Sequence, residues 1–97
     1  MRIIAVRTLR QFWEQHPQAE ASLRGWYAEA SKAHWKTPAD IKSAHRNASF
    51  LGNNRVVFNI KGHDYRLVVA VRYPQQLMFI RFIGTHAAYD RIDAEHV

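Results

Sequence analysis

From Arg55 to Ile83 apolar residues recur at every second position, whereas between Thr8 and His34 they recur at every third or fourth. The first pattern predicts β-strands and the second predicts helices. Leu9, Phe12 and Trp13 fall on one helical face just after Thr8, a residue that can cap, and His16-Pro17 ends this helix because the residue before a proline is pushed out of the helical region. A second helix is predicted from about Gln18 to Ala33, striped by Leu23, Trp26, Tyr27, Ala30 and His34. Arg2 to Val6 precedes both as a short strand. The connection KTPADIKSAHRNA, starting at Lys36, reads as a long loop that has room for one helical turn, and long loops in compact domains are often functional.

Three segments carry the alternating pattern: RVVFNI from Arg55, YRLVVAVRY from Tyr65 and LMFIRFI from Leu77, separated by KGHD and PQQ. Alternation assigns their faces. Val56, Phe58 and Ile60 point to the core, as do Tyr65, Leu67, Val69 and Val71, and then Met78, Ile80 and Phe82. The other face receives Arg55, Val57, Asn59 and Lys61, then Arg66, Val68, Ala70 and Arg72, then Phe79, Arg81 and Ile83. A turn at Gly62-His63 sets Asn59 opposite Arg66 and Ile60 opposite Tyr65. A turn at Gln75-Gln76 sets Ala70 beside Arg81, Val68 beside Ile83 and Arg66 beside Thr85. The expected architecture is α+β: an N-terminal strand and two-helix hairpin packed on an antiparallel sheet, with a short C-terminal helix.

With 97 residues, 47% of them hydrophobic, the chain suits a single domain over residues 1–97 rather than two. There is no cysteine, so no disulfide contributes. No apolar stretch is long enough to span a bilayer, and the first residues lack the long apolar region of a signal peptide, so the expected location is the cytoplasm and no membrane partner is expected. The net charge of +6 points to a polyanionic or acidic partner. Part of that charge is local: Lys32, Lys36, Lys42 and Arg46 accompany a single acid, Asp40, between Ser31 and Arg46.

The face assignment gathers chemistry at one end of the non-core face. Lys61, Arg66, His86 and Tyr89 converge there, Asn59 lies opposite Arg66, and Arg81 is set back along the sheet. His86 and Tyr89, three apart, fall on one face of a final helical turn. A base, a cation and an acid are what RNA cleavage by its own 2′-hydroxyl requires. Histidine is the natural proton carrier, since it titrates near neutrality. The six histidines are scattered without the short spacing of a metal site, so neither a metal nor another cofactor is expected.

At HWKTPADIK, FNIKGHDYRLVVAV and IRFIGTHAAYDRI the chain resembles the HigB family of bacterial toxins, within the RelE-like superfamily. The resemblance runs from the helical hairpin to THAAYD and implies a RelE-like fold, ribosome-dependent cleavage of mRNA, and neutralisation by a helix-turn-helix antitoxin of the HigA type, through which alone operator DNA would be engaged. Carried onto this chain, it implies catalytic roles for Arg66, Arg81, His86 and Tyr89. It adds Lys36 of WKTP as an RNA contact beside Lys42, Lys61 and Asn59. Many relatives have Gly-Asn before YRL where this chain has Gly62-His63, which places a second titratable ring near Lys61. Two other readings compete: a RelE/ParE-like scaffold that acts by binding a protein such as a gyrase, and a nucleic-acid-binding module without cleavage. His86 discriminates between them and the nuclease.

Overall fold

The computed structural model describes residues 1–97. In chain order it contains β1 (Arg2–Ile4), α1 (Val6–Gln15), a 3-10 turn (Pro17–Ala19), α2 (Glu20–Lys32), α3 (Pro38–Ala44), β2 (Ser49–Phe50), β3 (Arg55–Ile60), β4 (Tyr65–Arg72), β5 (Leu77–Thr85) and α4 (His86–Tyr89). The strands form one sheet in the order β1-β5-β4-β3-β2. The α+β architecture is as the periodicity predicts, and β3, β4 and β5 form the expected antiparallel meander. The sheet as a whole is mixed, because β1 runs parallel to β5. Parallel neighbours need a crossover connection, and α1 and α2 begin the one that leads from β1 back to β5.

Helix boundaries follow the caps. α1 begins at Val6, before Thr8, because the Ala5 carbonyl accepts from the Thr8 N–H (3.1 Å) within the first turn. It ends where expected, at His16-Pro17, and buries Leu9 and Trp13 one turn apart. α2 stops at Lys32, short of His34, which is exposed, while the next aromatic, Trp35, enters the core. The basic connection holds a two-turn helix rather than one turn. Thr37 accepts from the Asp40 N–H, Asp40 accepts from the Thr37 N–H, and Pro38 occupies the first helical position, so α3 starts with a complete capping box. Its one apolar anchor is the fully buried Ile41. The two-residue β2 then pairs with the start of β3.

Helices α1, α2 and α3 cover one face of the sheet. Their Leu9, Trp13, Leu23, Trp26, Ala30 and Ile41 pack with Val56, Phe58, Ile60, Tyr65, Leu67, Val69, Val71 and Met78 into the main core. The opposite face is partly covered too. Val57 and Val68 are buried beneath Ala94, with Leu51, Phe82, Tyr89, Ile92 and Val97 around them. The face expected to be open is therefore crossed in its middle by the segment after α4.

The β3–β4 register is as the Gly62-His63 turn predicts: Asn59 faces Arg66 and Ile60 faces Tyr65. Asp64 N–H closes this turn on the Lys61 carbonyl (3.2 Å), and Gly62 supplies a positive φ of 65°. The β4–β5 register is corrected. Arg72 pairs with Leu77, so the connection is Tyr73 to Gln76 rather than Gln75-Gln76 alone. Gln76 sits at φ 57°, and its side-chain amide donates to the carbonyls of Trp35 (2.8 Å) and Tyr73 (2.9 Å), which ties the turn to the core.

A second correction comes from a bulge. Val69 pairs with Ile80 but Val68 pairs with Phe82, leaving Arg81 as the extra residue. One extra residue reverses the alternation beyond it. Phe82 therefore joins the outer cluster and Ile83 packs against the main core, opposite to their predicted faces. The neighbours change accordingly: Ala70 lies beside Phe79, Val68 beside Phe82 and Arg66 beside Gly84.

Candidate functional site

The outer face ends, on the side of the β3–β4 turn, in a group of four elements. β3 supplies Asn59, β4 supplies Arg66, β5 ends in Gly84-Thr85, and α4 begins at His86. The Thr85 hydroxyl accepts from the Ala88 N–H (3.1 Å), which caps α4 and turns the chain out of the sheet. The His86 N–H donates to the Asp64 carbonyl (3.3 Å), fixing the start of α4 against the β3–β4 turn. One turn along, Tyr89 folds back over the sheet, and the Arg66 guanidinium carbon lies 5.3 Å from its ring centroid. This is a cation–π contact between the two side chains. Phe82 backs the tyrosine at 6.4 Å.

Gly84 makes this packing possible. A Cβ at this position would stand 2.5 Å from Cζ of the Phe82 ring, so the residue facing Arg66 has to be glycine for the ring to lie where it supports Tyr89.

Arg66 Nε and Asn59 Oδ1 belong to residues paired across β3 and β4, and both atoms are shut away from solvent without a hydrogen-bond partner. His86 stands at the edge of the group, with its side chain 49% exposed and Nδ1 3.3 Å from Asp90 Oδ2. Asp90 is a functional candidate that motif reading left without a role. Its signal was the i, i+4 spacing from His86. Lys61 lies in the adjoining turn with Nζ 3.5 Å from Asp64.

The structure brings Arg66, Tyr89, Asn59, His86 and Lys61 to one end, and it separates the remaining candidates. Arg81, in the bulge, donates from Nε to the Val97 carbonyl (3.1 Å) and lines a different pocket with Arg55 and Arg72. Lys36 borders a cleft with His34, Tyr73 and Gln76 at the opposite, β4–β5 turn end, roughly 20 Å away at about 3.3 Å per strand residue. In that cleft burial, and then the charge of Asp40, push the Tyr73 hydroxyl above its usual pKa, so it stays neutral near pH 7. Lys42 is occupied locally: its ammonium donates to the Ala48 carbonyl (2.8 Å) and ties α3 to the chain entering β2.

A family model, HigB toxin, described as the RelE-like toxic component of a toxin-antitoxin system, matches residues 19–92. The chain is also similar to the mRNA interferase toxin HigB of Escherichia coli strain K12, at 29% identity over 99 residues that cover 99% of this chain and 94% of that protein. The mRNA interferase HigB of Shigella flexneri is matched with the same identity and coverage. A further mRNA interferase HigB, from Escherichia coli O6:H1 strain CFT073, is 22% identical over 95% of this chain and 91% of that protein.

Proposed function

Because the chain belongs to the HigB family of RelE-like toxins, we propose that it is an mRNA interferase whose cleaving end is the one built around Arg66. The observation that carries this reading is the Arg66 guanidinium laid over Tyr89, with His86 opening the same short helix. In the proposed reaction Arg66 holds the scissile phosphate, and its charge is worth most as negative charge builds on the phosphoryl oxygens. The 2′-oxygen attacks phosphorus as its proton passes to His86, the bond from phosphorus to the 5′-oxygen breaks, and that oxygen takes a proton from solvent. Asp90 engages His86 Nδ1 and leaves Nε2 for the transfer. Tyr89 positions Arg66 through the contact between its ring and the guanidinium.

The same reading places the protein in the cytoplasm, on the translating ribosome, with a HigA-like helix-turn-helix antitoxin as its partner and operator DNA reached only through that antitoxin. No helix is long and apolar enough to cross a membrane. The test is chemical mapping of fragment ends after a translation reaction with the purified protein. Fragments ending in a 2′,3′-cyclic phosphate and beginning with a 5′-hydroxyl are expected. Fragments beginning with a 5′-phosphate would mean attack by water and would overturn the mechanism.

A further inference from the structure

The helical side of the molecule carries a cationic groove for which the cleavage reaction has no use. α1 and α2 lie together on the core face of the sheet, and the cleft between them, of about 380 Å³, is lined by Val6, Arg10 and Trp13 from α1 and by Arg24, Tyr27 and Ala28 from α2. Positions three and four apart share a helix side, so the groove follows α1 for about two turns, roughly 10 Å at about 1.5 Å per residue. Its lining holds two arginines and no acid.

Both arginines keep donors for a partner. The Arg24 guanidinium carbon lies 4.7 Å from the Trp13 ring centroid and Nε donates to Glu20 (2.7 Å), which fixes the side chain and leaves its two terminal nitrogens free. Arg10 is exposed and pairs with no carboxylate. The α2 side of the groove is low, because the exposed residues there are Ala21, Gly25 and Ala28. Glycine inside a helix is unfavourable relative to alanine, yet a Cβ at Gly25 would meet no atom within 4 Å, so packing within the chain does not call for it.

We propose that this groove receives an amphipathic helix of the antitoxin, with apolar side chains on the floor and carboxylates on Arg10 and Arg24. The proposal rests on membership of the toxin-antitoxin family, which supplies the partner, and not on the cleavage mechanism. Two turns of groove match apolar anchors at i, i+3 or i+4 and i+7 of a docked helix. Free guanidinium forks on either side of an apolar floor suit carboxylates. A nucleobase would need an open aromatic face, and Arg24 already lies over that of Trp13. Because α1 and α2 cover the sheet face opposite Arg66, a helix seated here leaves the cleaving end uncovered.

The test is binding of the full chain, as wild type, Arg10→Glu and Ala28→Trp, to the purified product of the reading frame next to its own. Arg10→Glu reverses a charge and Ala28→Trp fills the groove, so each should weaken the complex about tenfold or more, while cleavage by the variants alone and their melting temperatures stay at wild-type values. Hydrogen exchange in the wild-type complex should slow in α1 and α2. Unchanged affinity in Arg10→Glu, or slowed exchange confined to the sheet, would overturn the proposal, and Arg10 is exposed enough to give this reading even where Ala28→Trp does not fold. Variants that lose cleavage but keep the complex would assign the groove to RNA instead. A wild type that cleaves mRNA but forms no complex would overturn the docking and leave the cleavage reading standing. A wild type that forms the complex, loses it in both variants and cleaves nothing would do the reverse.

Discussion

The two ends of the outer face are both rich in arginine, yet they differ in what accompanies the charge. At the β3–β4 turn end, Arg66 is stacked on Tyr89, and His86 stands at the start of the same helix. At the bulge end, Arg55, Arg72 and Arg81 stand with two asparagines and no group that titrates near neutrality. Charge alone can bind and orient a phosphate. Breaking the P–O bond also needs a proton to move, and only the first end holds a histidine to move it. The segment after α4 separates the two, with Ala94 buried over Val57 and Val68.

The largest effect is expected from Arg66→Ala. Removing a charge that acts most strongly in the transition state should cost roughly 10²- to 10³-fold in cleavage. The melting temperature should change little, because the arginine is outside the main core. If growth inhibition survives in cells expressing this variant, the assignment of the chemistry to this end is wrong. His86→Gln should follow, with cleavage reduced roughly 10²-fold and antitoxin binding retained. A fully active His86→Gln beside a dead Tyr89→Phe would transfer the proton role to the tyrosine. If both stay active, the site is not a nuclease site, and action by binding a protein target becomes the better account.

Gly84→Ala sharpens the comparison by disturbing one end alone. The added Cβ would collide with the Phe82 ring, and overpacking of this kind costs about 1–3 kcal/mol. Because Phe82 backs Tyr89, cleavage should fall by roughly tenfold, as about 1.4 kcal/mol of misplacement would give. A wild-type turnover in a destabilised Gly84→Ala would show that Tyr89 does not position Arg66. The smallest of the four effects is expected from Arg81→Ala, which removes one of two donors to the Val97 carbonyl at the bulge end. It should weaken substrate binding, read as a raised KM with kcat nearly unchanged, by less than about tenfold. A collapse of kcat equal to that of Arg66→Ala would erase the distinction between the two ends.

Elements whose cause is local were legible in the order of the residues. Helical periodicity with Leu9, Trp13, Leu23 and Trp26, strand alternation around Val56, Phe58, Leu67 and Val69, and the turn chemistry of Gly62-His63 all act over a few residues, so the α+β class and the pairing of Asn59 with Arg66 could be read directly. The THAAYD stretch placed His86 and Tyr89 at the end of the face for the same reason. Tertiary structure decided what depends on residues far apart in the chain. Whether Arg81 bulges is not written in its own alternation; it follows from matching a turn anchored on the Trp35 carbonyl at one end of β5 with the pairing of Arg66 and Gly84 at the other. That one extra residue exchanged the faces of Phe82 and Ile83 and moved Arg81 into the company of Arg55 and Arg72. The cover over Val57 and Val68 also lay beyond local reading, because Ala94, Ile92 and Val97 show no periodicity and are buried only once the sheet exists to receive them. Period-two alternation constrains a strand only up to the first irregularity, and the position of an irregularity is a property of the assembled sheet.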